Sequence, residues 1–203
     1  KEALRLATID LFRQLKADNV IYAEIRFAPL LHLQKGLTAV EVVETVTEAA
    51  NEGMKAPGVE AGIILCTLRH FDEAQSMETV RLVEQFRDRN VVGFDIASDE
   101  AGYPIDKHGS AFAYAKANGL NITCHAGEAK GPESVWETLE HFHPARIGHG
   151  VRSVEDPKLM EHLKKANIHL EICPTSNVQT NVVDRLEHHP ADFIFRSGIS
   201  MSV

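Results

Sequence analysis

Two histidines and a carboxylate are the residues of this chain best suited to chemistry. The apolar run 121–125 ends on His125, and a two-residue turn separates that histidine from Glu128. A second apolar run, 145–149, ends on His149, which glycines flank. A histidine at a strand tip with a carboxylate three positions on can hold a metal ion and move a proton. A lone His-x-x-Glu is more often a buried histidine beside a solvated turn, so the second histidine is what favours a site.

The chemistry that fits this cluster best is metal-assisted hydrolysis, with Asp95 as its fourth member. One histidine would bind a metal ion, the other would hold or take a proton from the attacking water, and Glu128 would give a proton to the substrate. Catalytic zinc takes three protein ligands and an open position, whereas at most two ligands are visible here. The residues alone therefore leave a barrel with some other activity open.

Other chemistries fit the sequence less well. The turn at 148–150 begins like a dinucleotide fingerprint, but Ser153 stands where the third glycine is required, and His149 would crowd a pyrophosphate. The absence of any Cys-x-x-Cys pair excludes a zinc deaminase of the cytidine type. The sequence contains neither a Gly-x-Ser-x-Gly motif nor a Walker loop.

The elements that position these residues alternate between strand and helix. Apolar runs predict strands at 20–28, 61–68, 91–97, 120–125, 145–149, 168–173 and 199–203. Helical spacing and caps predict helices at 2–17, 38–53, 72–89, 109–118 and 156–166, others starting at Pro132 and Pro190, and a loop at 55–58. Such alternation predicts an α/β fold with a parallel sheet, either open and doubly wound or closed as a barrel.

Two observations favour the barrel. A helix before the first of seven strands implies a preceding strand, which would complete the eight of a TIM (β/α)₈ barrel. We therefore predict one incomplete barrel domain over residues 1–203, with strands 2 to 8 present and strand 1 missing. Charged and polar groups also follow the carboxyl ends of six different strands, where a barrel gathers them in one mouth; they are Arg26, Arg69, Asp95, His125, His149 and Thr175.

Composition narrows the class of partner. The chain has 203 residues, 44% of them hydrophobic and 25% charged, as in an ordinary globular protein. A net charge of -8 argues against a nucleic-acid partner, and no apolar run reaches membrane-spanning length. Cys66, Cys124 and Cys173 are far apart within apolar runs, which predicts buried thiols in a reducing compartment and hence a cytoplasmic protein.

Five segments resemble those of adenosine deaminases of the bacterial style, within the metal-dependent amidohydrolase superfamily. They are Glu-Ile-Arg-Phe-Ala-Pro at 24–29, Val-Gly-Phe-Asp-Ile-Ala-Ser-Asp-Glu at 92–100, Thr-Cys-His-Ala-Gly-Glu at 123–128, Arg-Ile-Gly-His-Gly at 146–150 and Glu-Ile-Cys-Pro-Thr-Ser-Asn-Val-Gln-Thr at 171–180. The resemblance implies a (β/α)₈ barrel with one zinc ion. It also implies hydrolysis of adenosine or deoxyadenosine to inosine or deoxyinosine and ammonia, in purine salvage.

The resemblance also implies roles for individual residues. His125 matches a zinc ligand, and Glu128 matches the acid that protonates the purine ring nitrogen. His149 matches the histidine that orients and deprotonates the attacking water. Asp95 and Ser98 are expected to contact the substrate. Ser98 stands where the family usually has a glycine whose backbone N–H binds the purine, which leaves the exact substrate preference open.

The remaining zinc ligands of the family are expected outside this stretch. The resemblance places a His-x-His pair in the first strand and an Asp-Asp pair after the last, so we expect an internal fragment that is inactive and binds zinc poorly alone. Adenine deaminase, a deaminase of N6-substituted AMP and a non-catalytic binding protein remain alternatives. The presence of both Glu128 and His149 favours an enzyme, because a binder needs neither a proton donor nor a base. The expected partner is a small purine nucleoside, with no nucleic acid and no membrane.

Overall fold

Parallel strands alternate with helices along the chain. The structure is a computed structural model that describes residues 1–55 and 58–203; Ala56 and Pro57, in the predicted loop at 55–58, lie outside the described residues. Its strands are β1 (Tyr22–Phe27), β2 (Glu60–Leu68), β3 (Val91–Ala97), β4 (Thr123–Ala126), β5 (Arg146–His149), β6 (His169–Glu171) and β7 (Met201–Ser202). All seven strands predicted from the apolar runs are therefore confirmed, several of them shorter than expected.

The helices follow the predicted pattern with one addition. They are α1 (Glu2–Ala17), α2 (Ala39–Met54), α3 (Glu73–Gln85), α4 (Gly109–Ala117), α5 (Pro132–Phe142), α6 (Pro157–Lys165), α7 (Pro174–Gln179) and α8 (Ala191–Arg196). The addition is α7, a short helix that starts at Pro174 and was not predicted from the sequence. The helix predicted to run to residue 89 ends at Gln85 as an α-helix, and a 3₁₀ turn covers Arg87–Arg89. The left-handed backbone of Asn90, with φ of 72°, then turns the chain into β3.

The strands lie side by side in the order in which they occur in the chain. Parallel pairing joins β1 to β2 and β2 to β3, and then β4 to β5, β5 to β6 and β6 to β7. A parallel bridge between Phe94 and Ile122 links the two groups, supported by a hydrogen bond from Phe94 N–H to the Asn121 carbonyl at 2.9 Å. Sequential order is that of a barrel wall, whereas a doubly wound sheet reverses its order at a switch point.

Burial on both faces of the sheet explains the near-continuous apolar strands. In β2 the consecutive residues Ile63, Ile64 and Leu65 are at most 1% exposed, although their side chains point to alternate faces. The outer face packs on helices, where the rings of Phe112 and Phe142 stack 3.9 Å apart. The strands therefore form a rigid wall whose carboxyl ends carry the candidate site.

The structure bears on two further expectations, one about the cysteine thiols and one about membrane-spanning helices. Cys66 and Cys124 are buried free thiols as predicted, but Cys173 is exposed, because it follows β6 as the N-cap of α7 and not as part of a buried strand. Within residues 1–55 and 58–203, no helix is long and apolar enough to cross a membrane.

Candidate active site

An open cavity of about 810 Å³ lies at the carboxyl ends of β3, β4 and β5. Its wall combines sequence-predicted residues with others from α7 and the loops; its polar members include Ser98, Asp99, Glu100, His125, Glu128, His149, Arg152, Glu155, Ser176 and Thr180. The structure thus brings His125, Glu128, His149 and Ser98 to one cavity, as the sequence analysis expected of them.

The turn after β4 directs Glu128 back towards the strand that carries His125. Gly127 occupies this turn with a φ of +70°, and a Cβ added there would lie 2.5 Å from Val135 Cγ2. The position therefore requires glycine on both conformational and steric grounds. The resulting fold of the loop places Glu128 Oε2 3.5 Å from His149 Nε2, across the cavity from one strand end to the next.

His149 is almost buried at the end of β5. Its ring centroid lies 5.2 Å from that of His125, and its backbone is left-handed with a φ of 62°. Gly148 permits this arrangement, because a Cβ added there would lie 3.1 Å from the His125 ring. Burial, with the neighbouring His125 second, lowers the pKa of His149 to about 4, so that the ring is neutral over the ordinary pH range.

Asp95 lies behind His125 and not on the cavity wall. Its carboxylate is fully buried, with Oδ1 3.2 Å from His125 Nδ1 and Oδ2 3.1 Å from Arg26 Nε. Burial opposes its ionisation, but His125 and Arg26 together keep the pKa of Asp95 below its ordinary value. This geometry does not favour the direct substrate contact expected for Asp95, because the neighbouring imidazole separates it from the cavity.

The contacts of His125 define the tautomer of its ring. Arg26 Nη1 lies 3.2 Å from His125 Nε2, and a guanidinium N–H can only donate. Nε2 is therefore the acceptor, and Nδ1–H donates to Asp95. Nε2 is the nitrogen whose lone pair faces away from the buried carboxylate, which makes it the atom of His125 able to ligate a metal ion.

Arg26 also belongs to a ladder of ion pairs inside the barrel wall, which the sequence analysis missed. It contacts Glu171, whose Oε1 lies 3.0 Å from Arg146 Nε, and Arg146 in turn contacts Glu24 at 2.5 Å. The sequence feature that could have predicted these ion pairs is the i, i+2 spacing of Glu24 and Arg26, which puts both side chains on the inner face of β1.

The remaining predicted residues have varied surroundings. Ser98 follows β3 with a φ of 85°, and its hydroxyl lies on the cavity wall 3.3 Å from His70 Nδ1. Arg69 is buried and donates to the carbonyl of His125 at 2.9 Å, so it supports β4 from behind. Thr175 is exposed in α7 and is not among the described residues that line the cavity, contrary to the expectation that it faces the mouth.

Glu100 is the most heavily hydrogen-bonded side chain around the cavity, and the sequence analysis missed it. Its carboxylate accepts hydrogen bonds from four consecutive backbone N–H groups, those of residues 127–130, at 2.7 to 3.0 Å. The Ser134 hydroxyl donates a fifth at 2.6 Å. Glu100 is 5% exposed, so these donors replace its hydration and fix the loop that carries Glu128.

Two further residues contact the cluster from the α7 side. The Thr180 hydroxyl lies 3.2 Å from Glu128 Oε1, and Asn177 Nδ2 lies 3.0 Å from His149 Nδ1. Burial is the main cause that raises the pKa of the half-buried Glu128. The cavity thus pairs a carboxyl group that holds a proton more readily than usual with a neutral imidazole.

The described residues do not by themselves form a complete metal site. In this part of the chain, no group of three or more His, Cys, Asp or Glu side chains is placed to hold a metal ion. A His-x-His tripeptide does occur, at His141 and His143, but it lies at the end of α5, where both histidines are exposed and precede β5. His125 therefore offers one imidazole ligand to a metal ion.

Comparison with known families matches the whole chain. The family described as adenosine deaminase matches residues 1–203. An adenosine deaminase of Mycobacterium ulcerans is 41% identical over 219 residues, covering 100% of this chain and 60% of the relative. Adenosine deaminase 1 of Streptomyces coelicolor is 39% identical over 212 residues, covering 97% of this chain and 53% of the relative. The chain therefore spans little more than half the length of these curated relatives.

Solved structures give the same fold. An adenine deaminase from Arthrobacter aurescens superposes with a TM-score of 0.90 at 28% identity, covering 98% of this chain and 61% of that one. An N6-methyl-AMP deaminase from Arabidopsis thaliana gives 0.88 at 26% identity, with 98% and 60% covered. An amidohydrolase from Burkholderia ambifaria with bound Zn gives 0.89 at 23% identity, with 98% and 56% covered, a likeness of fold alone.

Proposed function

The chain belongs to the adenosine deaminase family, and from this premise we propose that the protein hydrolyses the exocyclic amino group of adenosine or deoxyadenosine. The observation that carries the proposal is the pair Glu128 and His149, which face each other at 3.5 Å across a cavity at the strand ends. A carboxyl group with a raised pKa, such as Glu128, can transfer a proton to a purine ring. A neutral imidazole, such as that of His149, can orient the attacking water.

The proposed reaction balances with one water molecule. The water oxygen forms a bond to the ring carbon that carries the amino group, and Glu128 gives its proton to the adjacent ring nitrogen. One water proton then restores Glu128. The carbon–nitrogen bond breaks, the second water proton leaves with the amino nitrogen as ammonia, and the product is inosine or deoxyinosine.

The burial of Glu128 supports its role as the proton donor. The single hydrogen of the Thr180 hydroxyl can satisfy the Ser176 carbonyl, which is 2.9 Å away. The same hydrogen can instead be donated to Glu128 Oε1 at 3.2 Å, and this hydrogen bond lowers the pKa of the carboxyl. Burial, the largest cause, outweighs this hydrogen bond and raises the pKa of Glu128, so the carboxyl holds a proton more readily than an exposed glutamate.

A zinc ion is proposed as the cofactor, with His125 as one ligand. The family match and the lone pair of His125 Nε2, which faces away from Asp95 and, among the described residues, accepts only an N–H of Arg26, support this assignment. When bound, zinc would supply Lewis acidity and lower the pKa of a bound water. The other ligands would come from outside the residues that the structure describes.

The charges around the cavity favour a neutral nucleoside over a nucleotide. Asp99, Glu100 and Glu155 are acidic members of the wall. The guanidinium of Arg152, the cation of that wall, donates to Glu155 at 2.7 and 3.0 Å and to the Ala129 carbonyl at 2.9 Å. A phosphate would meet repulsion and find this arginine already paired, so N6-substituted AMP fits less well than adenosine.

The test is a comparison of substrates in the complete encoded protein. Ammonia release and loss of purine ultraviolet absorbance would be followed with adenosine, deoxyadenosine, adenine and N6-methyl-AMP. We expect the two nucleosides to have the highest kcat/KM. Preference for adenine or for the nucleotide would overturn the substrate assignment. Binding of adenosine without turnover would instead favour a non-catalytic binding protein.

A further inference from the structure

A chain of hydrogen bonds runs from the start of α8 to His149. The backbone N–H of Ala191 donates to His189 Nδ1 at 3.1 Å. His189 Nε2 lies 3.1 Å from Asn177 Oδ1, and Asn177 Nδ2 lies 3.0 Å from His149 Nδ1. Asn177 is fully buried, so its amide has no bulk water as an alternative partner.

The first bond of this chain determines the direction of all the others. A backbone N–H can only donate, so His189 Nδ1 must accept and a neutral His189 carries its proton on Nε2. That N–H requires an acceptor, which fixes the oxygen of the Asn177 amide on the His189 side. The amide nitrogen then faces His149 and donates to Nδ1. Each ring accepts a hydrogen bond at Nδ1 in this arrangement, so both imidazoles are neutral.

We propose that Asn177 and His189 are positioning residues that hold His149 as the tautomer with its proton on Nε2. The consequence for catalysis, which rests on the proposed function, is that His149 presents a hydrogen-bond donor to the cavity. Its lone pair is on Nδ1 and is engaged by Asn177. His149 therefore orients the attacking oxygen by donating to it, and the neutral ring does not take a proton from that oxygen through Nε2.

This assignment differs from the role that the resemblance implies. A base at this position would need a lone pair on Nε2 and a proton on Nδ1. That proton would point at the Asn177 amide nitrogen, which is itself a donor, at 3.0 Å. Two facing donors in a buried site would each be left without a hydrogen bond, which disfavours that tautomer.

The tautomer can be measured directly in the resting protein. Long-range ¹H–¹⁵N correlation spectra of the protein labelled at histidine distinguish protonated from unprotonated ring nitrogens. We expect a protonated Nε2 and an unprotonated Nδ1 for His149, with assignment by the loss of its signals in His149→Ala. The reverse pattern would overturn the proposal. This measurement does not depend on turnover, so the proposed function can fail while the tautomer assignment stands.

Asn177→Asp provides the sharpest perturbation. Aspartate has nearly the same shape, but it only accepts, so it should move a proton onto Nδ1 of His149. We expect kcat to fall about 10- to 100-fold with a smaller change in KM, as when a group that orients a site residue is lost. An unchanged spectrum in the folded Asn177→Asp variant would show that Asn177 does not set the tautomer.

His189 provides an independent variant and a control. His189→Gln keeps a donor near Asn177 and should preserve the Nε2–H tautomer. His189→Leu removes the anchor and should give a mixture of tautomers and a lower kcat. The adjacent His188 pairs with Asp184 at 2.7 Å on the surface, so His188→Leu should change neither readout. Identical spectra for His189→Leu and His188→Leu would show that His189 does not help to set the tautomer of His149.

Discussion

The backbone N–H of Glu128 lies 3.0 Å from Glu100 Oε2, so one buried carboxylate holds in place the residue that carries another. The same carboxylate receives the N–H groups on either side of this one, at 2.7 Å from Gly127 and 2.7 Å from Ala129. The loop after β4 therefore wraps around an anion, and the Glu128 side chain projects from that loop towards His149. Glu100 is a positioning residue in this arrangement.

Replacement of Glu100 by glutamine should impair turnover more than binding. An amide can accept through its single oxygen, but its NH₂ group would face backbone donors, so the loop should shift and misplace Glu128. We expect kcat to fall about 10- to 100-fold and stability to fall by about 1–3 kcal/mol. Glu133→Gln is a matched control, because Glu133 accepts at 3.0 Å the N–H of Gly131, the residue that follows the four whose N–H groups Glu100 accepts. Equal losses of kcat in the two variants would contradict the assignment.

Glu100 should also make the stability of the protein depend on pH. Burial opposes its ionisation, but the Ser134 hydroxyl, the backbone N–H groups and Arg69 together lower its pKa in the folded state. A carboxyl whose pKa is lower in the folded state than in the unfolded state stabilises the folded protein at pH values above the unfolded pKa of about 4.3. This stabilisation is lost as the pH falls through the folded-state pKa. Urea unfolding from pH 7 to 3 should show that the advantage of wild type over Glu100→Gln shrinks below about pH 4.3. A constant difference across that range would exclude the mechanism.

Periodicity in the sequence predicts the residues that line the site at the strand ends better than the residues that hold them in place. His125 and His149 end apolar runs, so their place at the strand tips follows from the alternation of strands and helices. Glu100 and Asn177 reach the same cluster through loop and short-helix backbone, where neither a two-residue nor a 3.6-residue period operates. Asp95 shows a further limit, since its position near a strand end is visible in the sequence but its complete burial behind His125 depends on the packing of β1 and β3.

Glu128→Gln in the complete protein should nearly abolish deamination. The ring nitrogen must gain a proton as the oxygen adds, and an amide cannot supply one; the loss of a general acid costs about 10²–10⁴-fold in kcat. Glutamine preserves the shape and the contact with Thr180, so the KM for adenosine should change little. Pre-steady-state and steady-state assays with adenosine would test this. Turnover within a few-fold of wild type would remove Glu128 from the role of proton donor.

Ser98 should store backbone strain on the cavity wall. Its φ of 85° is in the left-handed region, which costs a residue with a Cβ about 1–2 kcal/mol. Ser98→Gly should therefore raise Tm, by about 2–4 °C for each kcal/mol of strain relieved, and remove the hydroxyl that contacts His70. Ser98→Ala is the matched control, because it removes the same hydroxyl and keeps the Cβ. A shift in KM shared by both variants would show that the Ser98 hydroxyl contributes to substrate preference. Equal Tm values for the two variants would contradict the prediction that the backbone of Ser98 is strained.

The 203-residue chain by itself should bind zinc weakly. His125 supplies one imidazole, whereas protein zinc sites use three or four protein ligands, and the described residues contain no group of three candidate ligands. Arg26 also donates to His125 Nε2 at 3.2 Å, so an ion would have to displace this contact before the nitrogen could ligate. Competition with a chromophoric chelator should show well below one tightly bound equivalent of zinc, together with no deamination of adenosine.

Two variants distinguish the possible binding places. His141→Ala identifies zinc held by the exposed His-x-His tripeptide at the end of α5, and His125→Ala identifies zinc held in the cavity. One tight equivalent that survives His141→Ala and disappears in His125→Ala would show that the chain contains a complete site and that the ligand assignment is wrong.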